Sequence, residues 1–119
     1  MTPLAFALAA LAGGLGAGIR YLVDRGVARV VGTRFPWGVF AINLSGSFAL
    51  GLVTGALPDA AFVVGTGFLG GYTTFSTAMI DTVALWRDGE RRASSFNAIG
   101  MLVLGLAAGF AGLALGRSF

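Results

Sequence analysis

Residues 70–77 read Gly70-Gly71-Tyr72-Thr73-Thr74-Phe75-Ser76-Thr77. They lie inside a tract, residues 60–80, that carries no charged side chain. Two adjacent glycines weaken a helix, and Thr and Ser hydroxyls offer the backbone competing hydrogen bonds. In a neutral tract of this length the stretch predicts a local helix break at membrane depth. Such breaks survive only where protein or a water-filled cavity satisfies the freed carbonyls. Freed carbonyls also form oxygen ligands for a bare cation. The other reading is a kink whose hydroxyls bond back to the preceding turn, and the residues alone leave both open.

The tracts on either side fix the setting. Residues 1–19, 35–58 and 93–116 are likewise free of charged side chains. A bilayer crossing takes about 20 apolar residues, so the spacing predicts four transmembrane helices near 3–22, 36–57, 61–85 and 94–116. The fold class is an all-α integral membrane protein whose third helix is broken. Trp37 and Trp86 fall at span ends, where amphipathic rings favour the interface. The connections are short: a basic first loop, a tight Pro58–Asp59 turn and a charged third loop. The first tract lacks a basic leader and is too long for a signal-peptide core, so it reads as a retained span. The 119 residues make a single domain, 1–119.

Composition agrees. The chain is 56% hydrophobic and 11% charged, with a mean hydropathy of +0.86; soluble domains carry about 25% charged residues. There is no Cys and no His, which removes thiol nucleophiles, imidazole bases and the usual zinc ligands. Asp24, Asp59, Asp88 and Glu90 read as loop carboxylates with no evident catalytic partner, so the chain is not expected to be an enzyme.

Twenty glycines need a reason. Pairs four apart recur at Gly14/Gly18, Gly51/Gly55, Gly67/Gly71, Gly105/Gly109 and Gly112/Gly116, a spacing that lets helix backbones approach closely in lipid. Four spans make a thin bundle, so self-association or a partner is expected. All the basic residues are arginines. Arg20, Arg25, Arg29, Arg34, Arg87, Arg91 and Arg92 share one side of the membrane, and Arg117 stands alone on the other. The positive-inside rule puts loops one and three in the cytoplasm, in one fixed orientation. These arginines form no folded basic face, so no nucleic-acid partner is expected.

Polar groups inside a span are costly and are default functional candidates. The second span holds Asn43, Ser45 and Ser47. Asn43 reads either as glue between helices or as a donor to an anion stripped of water. Phe75 reads either as a packing residue, the commoner role of a membrane Phe, or as a ligand, with an electropositive edge that favours an anion and a face that favours a cation. Arg20 reads either as a snorkelling helix-end residue or as a vestibule charge that concentrates anions.

Three stretches resemble the Fluc/CrcB fluoride channels: Gly13–Tyr21, ending in Arg20-Tyr21; Gly38–Phe48, around Asn43; and Gly67–Thr77, around the break. The resemblance implies an antiparallel, inverted dimer that exports cytoplasmic fluoride by passive electrodiffusion, in a bacterial or archaeal inner membrane. It implies a structural sodium ion between the subunits, held by the main-chain oxygens of Gly70 and Thr73. It places Asn43, Phe75, Thr74 and Ser76 on the fluoride path, Arg20 in the vestibule, and Asp81 where the family has a Glu.

Three positions depart from the family pattern. A second Phe is replaced by Ala78, a Thr by Val39, and the fourth span has lost its track of hydroxyls. Together with the one-sided arginines, these departures suggest that the inverted partner is a paralogue; an antiparallel homodimer is the rival. The other rivals are a small multidrug-type transporter, which needs a first-span carboxylate absent from residues 1–19, and a non-conducting subunit of a heteromeric channel.

Overall fold

The structure is a computed structural model that describes residues 2–119. Helix α1 spans Pro3–Val31. Its N-terminus is set by Thr2, whose hydroxyl accepts the Ala5 N–H at 3.1 Å, with Pro3 in the first turn. The helix was expected to stop near residue 22 and runs roughly two turns further. Beyond residue 22 no proline interrupts it before residue 32, and it ends at Gly32, whose φ of 82° suits glycine alone. Arg25 donates to the Tyr21 hydroxyl at 3.0 Å, one turn away, and ties the added turns together. Asp24, Arg25 and Arg29 are therefore helix residues, and the first connection shrinks to residues 32–36.

Helix α2, Trp37–Ala56, and the short 3-10 turn Pro58–Ala60 fall where the sequence places them. The third span is in pieces. A π-wound segment, Ala61–Leu69, runs into the short α3, Gly70–Tyr72; Thr73 and Thr74 are extended; and α4 covers Phe75–Arg87. The break is thus real, but it follows the glycine pair. Gly70 keeps helical angles, φ −62° and ψ −37°, while Thr73 and Thr74 have ψ values of 160° and 124°.

The third connection is only residues 88–90. Gly89, with φ 82°, closes α4, and the Glu90 N–H bonds to Leu85 O at 2.9 Å, the wrap typical of a glycine-terminated helix. Helix α5, Arg91–Ser95, a π-wound turn, Phe96–Gly100, and α6, Met101–Arg117, then follow without interruption. Arg87, Arg91 and Arg92 accordingly stand on helix ends and not in a loop.

Among the described residues, three helices are long and apolar enough to cross a membrane: Pro3–Val31, Trp37–Ala56 and Arg91–Arg117. The fourth expected crossing is the divided one. Helices α2 and α6 pack along their lengths, and α1 packs on the π-wound segment and α3. The glycines make this close approach feasible. A Cβ on Gly112 would meet the Phe48 carbonyl, and one on Gly71 the Gly13 carbonyl. Gly14 and Gly18 differ: nothing lies within 4 Å of a Cβ built there, so they pack against no part of this chain.

The buried apolar core is small, comprising Val39, Phe40, Ile42, Leu69, Ala78 and Leu85. Large apolar side chains such as Leu11, Leu22, Leu102 and Phe110 point outward. In water such a surface drives association; against acyl chains it carries no penalty.

Candidate functional site: the interrupted third span

Asn43 on α2 faces the break and holds it. Its Nδ2 donates to Thr74 O at 2.8 Å, and its Oδ1 accepts the Thr74 N–H at 2.9 Å. One amide side chain therefore satisfies both backbone groups of Thr74. Gly46, one turn on, leaves room for the break to dock, since a Cβ there would collide with the Thr73 methyl. Of the two readings of Asn43, the structure shows the interhelical contact. The amide has one further bond, Nδ2 to Met101 Sδ at 3.1 Å, and a thioether is a weak acceptor.

The same contacts redirect two backbone donors. In an unbroken helix Gly70 O would receive the Thr74 N–H, which goes to Asn43 instead. Thr73 O would receive the Thr77 N–H, which is taken by Thr74 Oγ1 at 3.2 Å as the N-cap of α4. The Thr73 N–H and hydroxyl both bond back to Leu69 O, each at 2.9 Å. The Thr74 and Thr77 amides, the helical donors to Gly70 O and Thr73 O, are thus both diverted.

Asn43, Ser47, Gly70, Thr73, Thr74 and Phe75 line one cavity of about 480 Å³. The Phe75 ring is 79% exposed and stands at its edge. The remaining candidates lie elsewhere. Ser76 is exposed and does not line this cavity. Ser45 turns to Tyr72, sharing a hydrogen bond of 3.0 Å. Arg20 reaches the break with its Nε, donating to Gly71 O at 3.2 Å. That places a positive charge against the carbonyl end of α3, where the helix dipole favours it. Asp81 lines a separate cavity of about 200 Å³ with Asp24, Thr77 and Gly38. Asp24, read as a loop residue, is in fact a helix residue beside it.

A second polar cluster went unrecognised in the sequence. Asn97, wholly buried, donates to Thr82 Oγ1 at 2.9 Å and Ala78 O at 3.3 Å. Ser94 donates to Thr82 O at 2.7 Å. The signal was present: an Asn in a neutral tract, the feature that singles out Asn43. Asn97 Oδ1 is buried with no partner among the described residues. The departures from the family pattern fall inside the subunit. Ala78 is 1% exposed and Val39 4%, so neither side chain reaches the cavity beside Phe75.

The family described as CrcB-like protein, Camphor Resistance (CrcB), matches residues 7–113. The chain belongs to the CrcB family. Among CrcB relatives, a protein of Leifsonia xyli named fluoride-specific ion channel FluC 1 is 45% identical over 98% of this chain and 89% of its own length. A Mycobacterium bovis protein named fluoride-specific ion channel FluC 2 is 47% identical over 86% and 82%. One from Rubrobacter xylanophilus, FluC 1, is 45% identical over 98% and 96%. These CrcB relatives are named as channels and not as enzymes, which agrees with a chain lacking His and Cys.

Proposed function

We propose that this chain is a subunit of a fluoride-selective channel that lets cytoplasmic fluoride leave by passive electrodiffusion. Its relatives are named fluoride-specific ion channels. The observation that carries the reading is the held-open break, with Asn43 bonded to Thr74 and the usual donors of Gly70 O and Thr73 O diverted. Fluoride is small and strongly hydrated. A wholly apolar pore rejects it, and a strong fixed site traps it, so conduction calls for moderate donors in series. The exposed edge of Phe75 and the Ser76 hydroxyl suit that role. In Asn43, the Nδ2 contact to the Met101 thioether is one that an anion would outcompete, because sulfur accepts weakly.

The donor set fits a sodium ion. Gly70 and Thr73 would hold it through main-chain oxygens, hard ligands suited to a hard cation. A bound cation would supply fixed positive charge beside the anion path. The cavity is open on one side of a thin bundle, which supports an inverted second subunit closing it. Asn43 is largely committed to the backbone, Val39 and Ala78 are buried, and α6 carries glycine and apolar residues. A paralogue that supplies the missing pore groups explains these together.

The test is a fluoride-electrode trace on liposomes holding the purified protein, with chloride as control. Fluoride efflux with no chloride efflux is expected on co-expression with an inverted paralogue. Full efflux from this chain alone would replace the heteromer with a homodimer. No efflux under either condition would overturn the channel reading.

A further inference from the structure

A cavity of about 300 Å³ lies away from the break, where the first and third connections meet. Arg34, Phe35 and Trp37 line it from one side, and Glu90 from the other, over the buried side chain of Leu85. Its two charges are opposite and unpaired. The arginine side-chain hydrogen bonds of the described residues are those of Arg20 and Arg25, so Arg34 is not tied to Glu90. Glu90 precedes α5 at the N-cap yet makes no side-chain cap bond, which leaves its carboxylate free toward the cavity. The neighbouring Arg91 is turned away, its guanidinium stacked 4.7 Å from the Trp86 ring centre.

Trp37 and Phe35 form the wall between the charges, with ring centres 4.6 Å apart. Phe40 and Phe96 back them, stacked at 5.2 Å with 9° between planes. Aromatic faces attract ammonium groups, the more so beside a carboxylate. A guanidinium takes a phosphate diester in a two-pronged contact. Trp37 opens α2 at a span end, the depth at which lipid headgroups lie.

We propose that this cavity binds a zwitterionic phosphoethanolamine headgroup, with the phosphate on Arg34 and the primary ammonium on Glu90 against Trp37 and Phe35. The N–H donors of a primary ammonium suit a carboxylate acceptor, so ethanolamine is favoured over choline. The ligand is the headgroup of a bilayer lipid. The inference depends on the membrane setting and not on fluoride conduction, so the two readings fail separately.

Native mass spectrometry of the purified full chain, delipidated and offered phosphatidylethanolamine or phosphatidylglycerol with matched acyl chains, tests it. Wild type should retain the ethanolamine lipid roughly tenfold better, the scale of one charge-assisted hydrogen bond. Glu90→Gln should abolish that preference while leaving phosphatidylglycerol retention intact. Arg34→Gln should weaken both lipids. Free O-phosphoethanolamine in the buffer separates the sources: no displacement of bound lipid at millimolar concentration is expected. Equal retention of the two lipids by wild type, or an unchanged preference in Glu90→Gln, would overturn the proposal. Displacement by the free compound would overturn the lipid as the ligand. Glu90 and Arg34 are both exposed; the phosphatidylglycerol signal kept by Glu90→Gln reports that this variant is folded, and an unchanged thermal unfolding midpoint in detergent reports the same for Arg34→Gln.

Discussion

At the scale of the residue, Asn43 and Phe75 share a cavity and have opposite energetics. Asn43→Ala removes both partners of the Thr74 backbone, and each unsatisfied buried group costs about 1–3 kcal/mol. A large fall in thermal stability in detergent is expected, with loss of efflux as a consequence. Phe75→Ile changes a ring that is 79% exposed. Melting temperature should stay within a few degrees of wild type, since surface changes fall within about 0.5 kcal/mol, while fluoride throughput falls severalfold. Equal efflux in Phe75→Ile and wild type would remove the ring from the path. Restoring the family's second Phe is a different matter. Ala78 is 1% exposed, and its carbonyl receives both Thr82 Oγ1 and Asn97 Nδ2. Ala78→Phe should therefore overpack the α4 contact with the fourth span and lower the yield of folded protein, with no gain in conduction.

At the scale of the element, the helices are held by contacts between backbones. Where α2 crosses α6, a methyl group at Gly112 would enter the Phe48 carbonyl. Gly112→Ala should cost at least about 1–3 kcal/mol, the usual penalty of overpacking. Gly26 lies on the unforeseen extension of α1 with nothing within 4 Å of an added Cβ. Gly26→Ala should stabilise the helix by about 0.5–1 kcal/mol. Thermal unfolding of the two variants in one detergent checks both signs. The break is an element in its own right. Its carbonyl end faces Arg20 and its amide end is capped by Thr74, so opposite partial charges are held within a few residues.

At the scale of the whole molecule, the arginine asymmetry makes the proposed assembly testable. With Arg20 drawn to the break, the sequence expectation leaves Arg25, Arg29, Arg34, Arg87, Arg91 and Arg92 on one side and Arg117 on the other. The native chain has no Cys, so single cysteines at Thr33 and Ser118 can be read with an impermeant maleimide. Thr33→Cys should be protected in intact cells and Ser118→Cys labelled, in nearly all copies. Equal labelling of both would mean that the chain inserts both ways, which would favour the homodimer. The outward apolar surface suits a lipid environment, and the proposed second subunit would cover the cavity at the break.

Much of this molecule was legible in its sequence. The spacing of charges marks the spans because ionisable side chains are excluded from hydrocarbon. The string from Gly67 to Thr77 marks the break because hydroxyls and glycines compete with helical bonding. What the linear chain could not decide is which partner each polar group takes. The break moved past Gly70-Gly71 to Thr73-Thr74 because Asn43, 31 residues earlier in the chain, captures the Thr74 amide. The cluster around Asn97 and the meeting of Arg34 with Glu90 across one cavity were settled in the same way. Hydrogen bonding and charge act over a few ångströms, and only the folded chain brings residues far apart in sequence within that reach.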